Sequence, residues 1–316
     1  MHPTIPFNKP FFSGQEIRYI EQAVCSGKIS GDGLFAQRVH KFFEQQLGFQ
    51  KVLLTTSCTD ALERAALLLN IQPGDEVIIP SFTFVSAANA FVLRGAKIVF
   101  ADSTGLNPNI DTDAIESLVT PRTRAIVPVH YADIACDMDA IQAVADRHGL
   151  VVMEDAARAI DSYHRGRALG SLAALAAFSI HETKNIISGE GGMLATNDAR
   201  FGPWAEVIRE KGTTRTAFYR GEVDKYGWVD VGSSFLPSDI ITAYLWAQLE
   251  NLADIQHQRR AIWQHYYAAL EPLQSLGTGL PVLPDFATNY GHLFYLVCRS
   301  LTERTALLVY LKQRGI

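Results

Sequence analysis

Residues 51–102 read KVLLTTSCTDALERAALLLNIQPGDEVIIPSFTFVSAANAFVLRGAKIVFAD, and short apolar runs alternate here with segments of helical spacing. We predict strands over 51–56, 76–80 and 97–102, with helices over 60–69 and 82–95 between them. The strands are apolar throughout rather than alternating, as in parallel sheets that are covered on both faces. The stretch therefore predicts an α/β fold, with a mainly parallel sheet flanked by helices.

The same alternation continues to about residue 200. The additional strands are predicted in RAIVPVHY (124–131), LVVMEDA (150–156), AAFSI (176–180) and GMLATN (192–197), with a helix over 137–149.

After residue 200 long helical patterns dominate. One helix is predicted over 238–273, a strand over 292–299 and a helix over 302–315. We therefore predict a large domain at 1–240 and a small α+β domain at 241–316, which looks incomplete with one strand and one helix.

The bulk composition limits the class of protein. The 316 residues are 48% hydrophobic and 19% charged, which is typical of a globular chain. The net charge is −5 and no basic block is present, so we do not expect nucleic acid as a partner. No leader-peptide pattern and no apolar run of membrane-spanning length is present, so no membrane partner is expected. The four cysteines lie far apart without metal-ligand spacing, so we expect reduced thiols, no metal site and a cytoplasmic protein.

Three polar motifs follow predicted strands, where open α/β sheets bind ligands. In TTSCTDAL (55–62), Ser57 or Thr59 can cap a helix whose first N–H groups suit a phosphate; an ordinary helix cap is the alternative. In EDAA (154–157), Asp155 needs a cation or strong donor such as a protonated pyridine nitrogen. A salt bridge or a helix cap is the alternative for that carboxylate.

The third motif is SIHETKN (179–185), in which Lys184 follows an apolar strand and precedes the glycines of GEGG. Burial there would lower the lysine pKa, and a neutral amine can form a Schiff base with an aldehyde. The alternative is an ordinary charged surface residue. A phosphate cup, an acid for a pyridine nitrogen and a desolvated lysine are together the contacts that pyridoxal phosphate requires.

The motifs as a set resemble the DegT/DnrJ/EryC1/StrS family of pyridoxal-phosphate sugar aminotransferases. The resemblance is carried by SGKISGDG, TTSCTDALERAALLL, IQPGDEVIIPSFTFVSAANAFVLRGAKIVFAD, VPVHYA, VVMEDAA, FSIHETKNIISGEGG and REKGT, and it covers almost the whole chain. It implies the aminotransferase fold of type I and a homodimer with a shared active site. It also implies amino transfer from L-glutamate to C4 of a dTDP-4-keto-6-deoxyhexose.

The resemblance also implies roles for individual residues. Lys184 would be the catalytic residue, Asp155 would hold the pyridine nitrogen, and Phe84 would cover the cofactor face, unless it is plain core packing. His181 and Glu190 would position substrate, whereas His130 is as well explained as a structural histidine. The phosphate would be bound by Ser57, Cys58, Thr59 and Ser179.

The chain departs from the family pattern at three positions. Arg158 stands where glutamine or histidine is usual and would lie near the 3′-oxygen of the cofactor. Asp133 replaces a turn glycine, and a pairing of Arg158 with Asp133 is one hypothesis. Ser234 stands where many relatives have the asparagine that reaches the phosphate of the neighbouring subunit. Relatives also continue beyond Ile316, so the alternative to an active transaminase is an impaired or inert homologue with the same fold.

Overall fold

The computed structural model describes residues 5–105 and 107–316. Residues 1–4, part of the N-terminal stretch considered above for a leader peptide, lie outside this range. Nine strands occur in the described residues: β1 Lys51–Thr55, β2 Glu76–Pro80, β3 Lys97–Ala101, β4 Thr123–Ile126, β5 Val151–Asp155, β6 Tyr163–His164, β7 Arg167–Ala168, β8 Leu175–Ser179 and β9 Gly192–Thr196.

Seven of these strands form one sheet in the order β1-β9-β8-β5-β4-β2-β3, and β6 and β7 form a separate hairpin. Strand β9 runs antiparallel to both of its neighbours, β1 and β8. The pairings from β8 through β5, β4 and β2 to β3 are parallel. The expected mainly parallel sheet is therefore confirmed, with one reversed strand near its edge.

Helices cover both faces of this sheet. In the described ranges they are α1 Glu16–Cys25, α2 Leu34–Gln46, α3 Cys58–Leu68, α4 Ser86–Val92, α5 Thr112–Leu118, α6 Met138–His148, α7 Gly202–Arg209, α8 Arg215–Tyr219, α9 Asp239–Leu249, α10 Leu252–Leu270 and α11 Leu301–Gln313.

Strand β8 shows why the strands are apolar at every position. Ala176 and Phe178 belong to one hydrophobic cluster, whereas Leu175 and Ala177 belong to another. Because successive side chains of a strand point to opposite faces, the two clusters lie on opposite faces of the sheet. Burial on both faces is what the continuous apolar pattern predicted.

Four predicted elements differ from the structure. The helix expected over 82–95 is shorter and covers only Ser86–Val92. The helix expected over 238–273 is interrupted at Asn251, whose side-chain amide donates to the Ala247 carbonyl (2.8 Å) and whose backbone leaves helical geometry. The strand expected over 292–299 is wrong, because only an isolated bridge forms there, between Gly279 and Val297. Strand β4 ends at Ile126 instead of reaching residue 131, since Pro128 carries no N–H for the ladder.

Helix α9 packs against the sheet domain. Its residues Leu245 and Leu249 are buried in the same cluster as Phe43 and Ile160. Helix α11, by contrast, has no buried residue. The division into domains at residue 240 stays a prediction. In the described ranges, no helix is both long and apolar enough to cross a bilayer.

The order of the strands brings the three polar motifs together. Strands β1, β8 and β5 run in the same direction, since β9 is antiparallel to both β1 and β8, and β8 is parallel to β5. Their carboxyl ends therefore lie at one edge of the sheet. Ser57 follows the end of β1, Ser179 is the last residue of β8, and Asp155 is the last residue of β5.

Candidate active site

A cavity of about 350 Å³ opens at this edge, within the size range of small-molecule sites. The predicted site residues that line it are Ser57, Cys58, Thr59, Phe84, Asp155, Arg158, Ser179, His181, Lys184 and Glu190. Residues separated by more than 130 positions in the sequence are thus combined in one pocket.

The start of helix α3 forms one wall of the cavity. Ser57 Oγ accepts a hydrogen bond from the Asp60 N–H (3.0 Å), so Ser57 is the helix cap that the sequence offered as an alternative. Within the described part of the chain the N–H groups of Cys58 and Thr59 have no acceptor. Both lie at the positive end of the helix dipole, where a phosphate is favoured. The capping and phosphate interpretations are therefore compatible.

Cys58 contributes to this wall through its backbone. Burial, together with the nearby Asp155 carboxylate, raises the pKa of the Cys58 thiol well above its usual range. The side chain is therefore a neutral thiol and not an anionic nucleophile. Thr59 Oγ1 donates to Ser86 Oγ (2.9 Å), which fixes the start of α3 against the start of α4.

Gly192 of β9 packs directly against the backbone of the same turn. A Cβ atom at this position would lie 2.4 Å from the Ser57 carbonyl carbon and 2.5 Å from the Cys58 nitrogen. Only glycine allows strand β9 to approach the backbone of the turn this closely. Gly192 therefore shapes the wall in which the free N–H groups lie.

The two carboxylates of EDAA point in opposite directions because they are successive residues of β5. Asp155 faces the cavity, and its Oδ1 accepts the Ala157 N–H (3.1 Å). Burial raises the pKa of Asp155, while that N–H group and the charges of Lys184 and Arg158 act against the rise. A cationic partner in the cavity would stabilise the carboxylate form further.

Glu154 faces away from the cavity and is fully buried. Its oxygens accept backbone N–H groups of Gly170 (2.7 Å), Leu172 (2.9 Å) and Ala173 (2.8 Å). His130 Nε2 lies 2.9 Å from Glu154 Oε2, and His130 Nδ1 accepts the Cys136 N–H (3.1 Å). The His130 proton therefore lies on Nε2 and is donated to Glu154. His130 lines the cavity, and its hydrogen bonds are those of a structural histidine.

Lys184 lies in the loop that connects β8 to β9. The Ile180 N–H donates to the Gly191 carbonyl (2.9 Å), and the Ser188 N–H donates to the Ile180 carbonyl (2.8 Å). These bonds join the two ends of the loop and make it compact. Asn185 anchors it by donating to the Ile160 carbonyl (3.1 Å). Burial, with a smaller contribution from the Arg158 charge, lowers the pKa of the Lys184 amine. This is the desolvated amine that the sequence predicted.

Ser179 and Phe84 complete the cavity wall. Ser179 is buried at the end of β8 and its Oγ accepts the His181 N–H (3.4 Å). Phe84 is 69% exposed, so its side chain is not core packing. An aromatic ring held at the cavity with an open face is suited to cover a flat ligand.

Arg158 and Asp133 do not form the hypothesised pair. The Arg158 guanidinium lies 4.8 Å from the centroid of the Tyr131 ring, and its Nη1 is buried without an acceptor in the described residues. Asp133 Oδ2 instead accepts the backbone N–H groups of Tyr290 (3.2 Å) and His292 (2.9 Å). Asp133 has φ 63°, a left-handed conformation that explains why a glycine was expected there.

His181 and Glu190 lie at the mouth of the cavity. His181 Nδ1 accepts the Thr183 N–H (3.2 Å), and Nε2 lies 3.6 Å from Glu190 Oε1. Ser234 does not line this cavity; it is exposed and forms an isolated bridge with Glu210.

Sequence reasoning missed two residues near the cavity. Tyr131 lies under Arg158 and lines the cavity, and its position after His130 was the available signal. His292 is half-buried; desolvation is the main cause of its lowered pKa, and the charges of Lys184 and Arg158 contribute after it. Its position near the site depends on long-range folding of the segment after α10.

The residues present fit pyridoxal phosphate. Free N–H groups of Cys58 and Thr59 suit the phosphate, Asp155 suits the ring nitrogen, and Lys184 suits the aldehyde. The unpartnered Arg158 Nη1 offers a further donor for an anionic oxygen.

Comparisons with known proteins agree with this geometry. The sequence profile of the DegT/DnrJ/EryC1/StrS aminotransferase family matches residues 12–316. The spore coat polysaccharide biosynthesis protein SpsC of Bacillus subtilis is 37% identical over 295 residues, which cover 92% of this chain and 75% of SpsC.

Two solved structures are similar over nearly the full chain. The aminotransferase TlmJ from Streptoalloteichus hindustanus has a TM-score of 0.91 at 28% identity, covering 99% of this chain and 83% of TlmJ. DesV of S. venezuelae has a TM-score of 0.88 at 30% identity, covering 99% of this chain and 82% of DesV. The chain therefore belongs to the DegT/DnrJ/EryC1/StrS aminotransferase family and is a pyridoxal-phosphate-dependent aminotransferase.

Proposed function

We propose that the protein transfers an amino group from L-glutamate to C4 of a dTDP-4-keto-6-deoxyhexose. The product would be dTDP-4-amino-4,6-dideoxygalactose, a precursor for enterobacterial common antigen or another surface polysaccharide, made in the cytoplasm. One observation carries the proposal: the desolvated Lys184 amine lines the same cavity as Asp155 and the free N–H groups of α3. The similarity to SpsC, a polysaccharide biosynthesis protein, supports the class of pathway.

Lys184 is the proton carrier in this proposal. Burial favours its neutral amine, which can bind the cofactor aldehyde and, once displaced by the donor amine, can accept and return a proton. The compact loop between β8 and β9 restricts the positions that Nζ can reach. A proton carrier that serves two different carbons in turn must be held within reach of both, and the compact loop would provide this.

The other cavity residues bind and orient the cofactor. Asp155 would hold the ring nitrogen in its protonated form, and bound pyridoxal phosphate would then supply the electron sink for the reaction. Ser57, Cys58, Thr59 and Ser179 would hold the phosphate. Phe84 would cover one face of the ring, and Arg158 would donate to its 3′-oxygen.

His181 and Glu190 are proposed to position the sugar substrate at the mouth of the cavity. Ser234 is proposed to reach the phosphate in the active site of a partner subunit. A homodimer is supported by exposed apolar side chains that precede α4, end it or follow it directly. These are Phe82, Phe84, Val85, Val92 and Leu93.

Arg158 and Asp133 are the two substitutions on which, besides the greater length of the relatives, the inert-homologue alternative was based. Neither residue displaces Lys184 or Asp155 from the cavity, and Asp133 is hydrogen-bonded in a turn. The placement of the chemical groups therefore favours an active transaminase.

Adding pyridoxal phosphate to the purified protein and recording its absorbance tests the proposal. We expect a new band that glutamate bleaches and that is absent from Lys184→Ala. Adding dTDP-4-keto-6-deoxyglucose should then restore the band and give an amino sugar with the galacto configuration at C4. A band unaffected by glutamate would refute the transaminase, whereas a gluco product would refute only the assigned sugar.

A further inference from the structure

The turn at 131–133 is held in an unusual backbone conformation. Ala132 and Asp133 both have positive φ, 56° and 63°, and both are fully buried. Two successive left-handed residues that are not glycine are strained, and such a turn persists only where other contacts fix it. The contacts of the Asp133 carboxylate supply that fixation.

These contacts join two distant parts of the chain. Asp133 Oδ2 accepts the N–H groups of Tyr290 (3.2 Å) and His292 (2.9 Å), more than 150 positions away. On the other side, Arg259 of α10 donates from Nη2 to the His292 carbonyl (3.1 Å). Residues 289–292, here called the roof segment, are therefore held between the turn and α10.

The roof segment lies near the reactive lysine. The His292 side chain is half-buried, and Lys184 and Arg158 are among the charges that act on it. Its Nδ1 has no partner in the described part of the chain. Just beyond the segment, the Tyr295 ring lies 6.2 Å from the Tyr131 ring, which lines the cavity. Both observations place the roof segment beside Arg158 and Tyr131, which line the cavity together with Lys184.

We propose that Asp133 is a positioning residue whose carboxylate latches the roof segment onto the turn and so keeps water from Lys184. The latch is a property of this chain, because the glycine expected at this position has no side chain to accept the two N–H groups. The effect on Lys184 rests on the proposed function, whereas the latch itself does not.

Three variants separate the latch from simple relief of backbone strain. Asp133→Gly removes the acceptor and fits φ 63° without strain, so a strain effect alone would leave the protein unharmed. Asp133→Asn keeps an acceptor oxygen and also tolerates a left-handed conformation. Asn70→Gly is the matched control, since Asn70 has φ 50° in an exposed turn after α3.

Hydrogen–deuterium exchange of the cofactor-loaded protein tests the latch directly. In Asp133→Gly we expect the amides of Tyr290 and His292 to exchange up to about tenfold faster, as for the loss of one hydrogen bond. Asp133→Asn and Asn70→Gly should exchange at the wild-type rate. Wild-type exchange in Asp133→Gly, or equally fast exchange in Asp133→Asn, would overturn the latch.

The pH dependence of cofactor attachment tests the positioning role. Opening the roof segment would let water reach Lys184, so the midpoint of the absorbance titration should move to higher pH in Asp133→Gly and stay in place in Asp133→Asn. Faster exchange with an unmoved midpoint would refute the positioning role. Failure of the wild type to attach the cofactor would instead refute the proposed function.

Discussion

Replacing Gly192 with alanine tests how the phosphate wall is built. The added Cβ would lie 2.4 Å from the Ser57 carbonyl carbon and 2.5 Å from the Cys58 nitrogen. Nonbonded carbon atoms prefer separations of about 3.5–4.0 Å, so the turn must move by roughly 1 Å. Both close atoms belong to the backbone, which cannot rotate away as a flexible side chain would.

The displacement has two expected consequences. Overpacking of this kind costs about 1–3 kcal/mol, which lowers the melting temperature of a protein this size by roughly 2–10 °C. The moved Cys58 and Thr59 N–H groups also lose optimal contact with the phosphate, so cofactor affinity should fall about tenfold to a hundredfold.

Fluorescence or absorbance titration with pyridoxal phosphate, combined with calorimetry, measures both effects. Gly202→Ala is the matched control, because its Cβ would meet only Lys51 Cδ at 3.7 Å, and its stability should change by less than about 0.5 kcal/mol. If Gly192→Ala bound the cofactor as tightly as the wild type, the assignment of this turn as the phosphate site would be wrong.

Two more predictions concern charges in and behind the cavity. Arg158→Gln should raise the pKa of Lys184, because the Arg158 charge contributes, after burial, to lowering that pKa, and the pH midpoint of cofactor attachment should rise with it. Arg158→Lys keeps the charge and should keep the wild-type midpoint. An unmoved midpoint in Arg158→Gln would contradict the coupling between Arg158 and Lys184. Glu154→Gln would place an amide group against donors that now meet a carboxylate, and should cost about 2–6 kcal/mol in denaturant unfolding. The exposed Glu116→Gln should cost less than about 1 kcal/mol, and equal stability losses for the two variants would count against the buried network.

Most of the sheet could be predicted because its strands are buried on both faces. Leu175 to Phe178, for instance, are all buried, and the sequence shows this as an unbroken apolar run. The strand expected at 292–299 had a similar pattern but no partner over most of its length. Apolar composition indicates burial, whereas a strand also needs a neighbour with which to share hydrogen bonds.

Site residues could be predicted where a reactive side chain stands at or shortly after the end of a predicted strand, as Asp155 and Lys184 do. The opposite directions of Glu154 and Asp155 follow from strand alternation. Asp133 and His292, by contrast, meet across more than 150 positions. No local pattern contains that contact, since it depends on how the segment after α10 folds back onto the sheet.

The most direct test of the account is to locate the covalent bond between the protein and the cofactor. The protein is incubated with pyridoxal phosphate, reduced with borohydride and digested, and the modified peptide is sequenced by mass spectrometry. We predict that the reduced cofactor lies on Lys184 and that Lys184→Ala carries none. Modification of a different lysine, or labelling of Lys184→Ala equal to that of the wild type, would contradict the account.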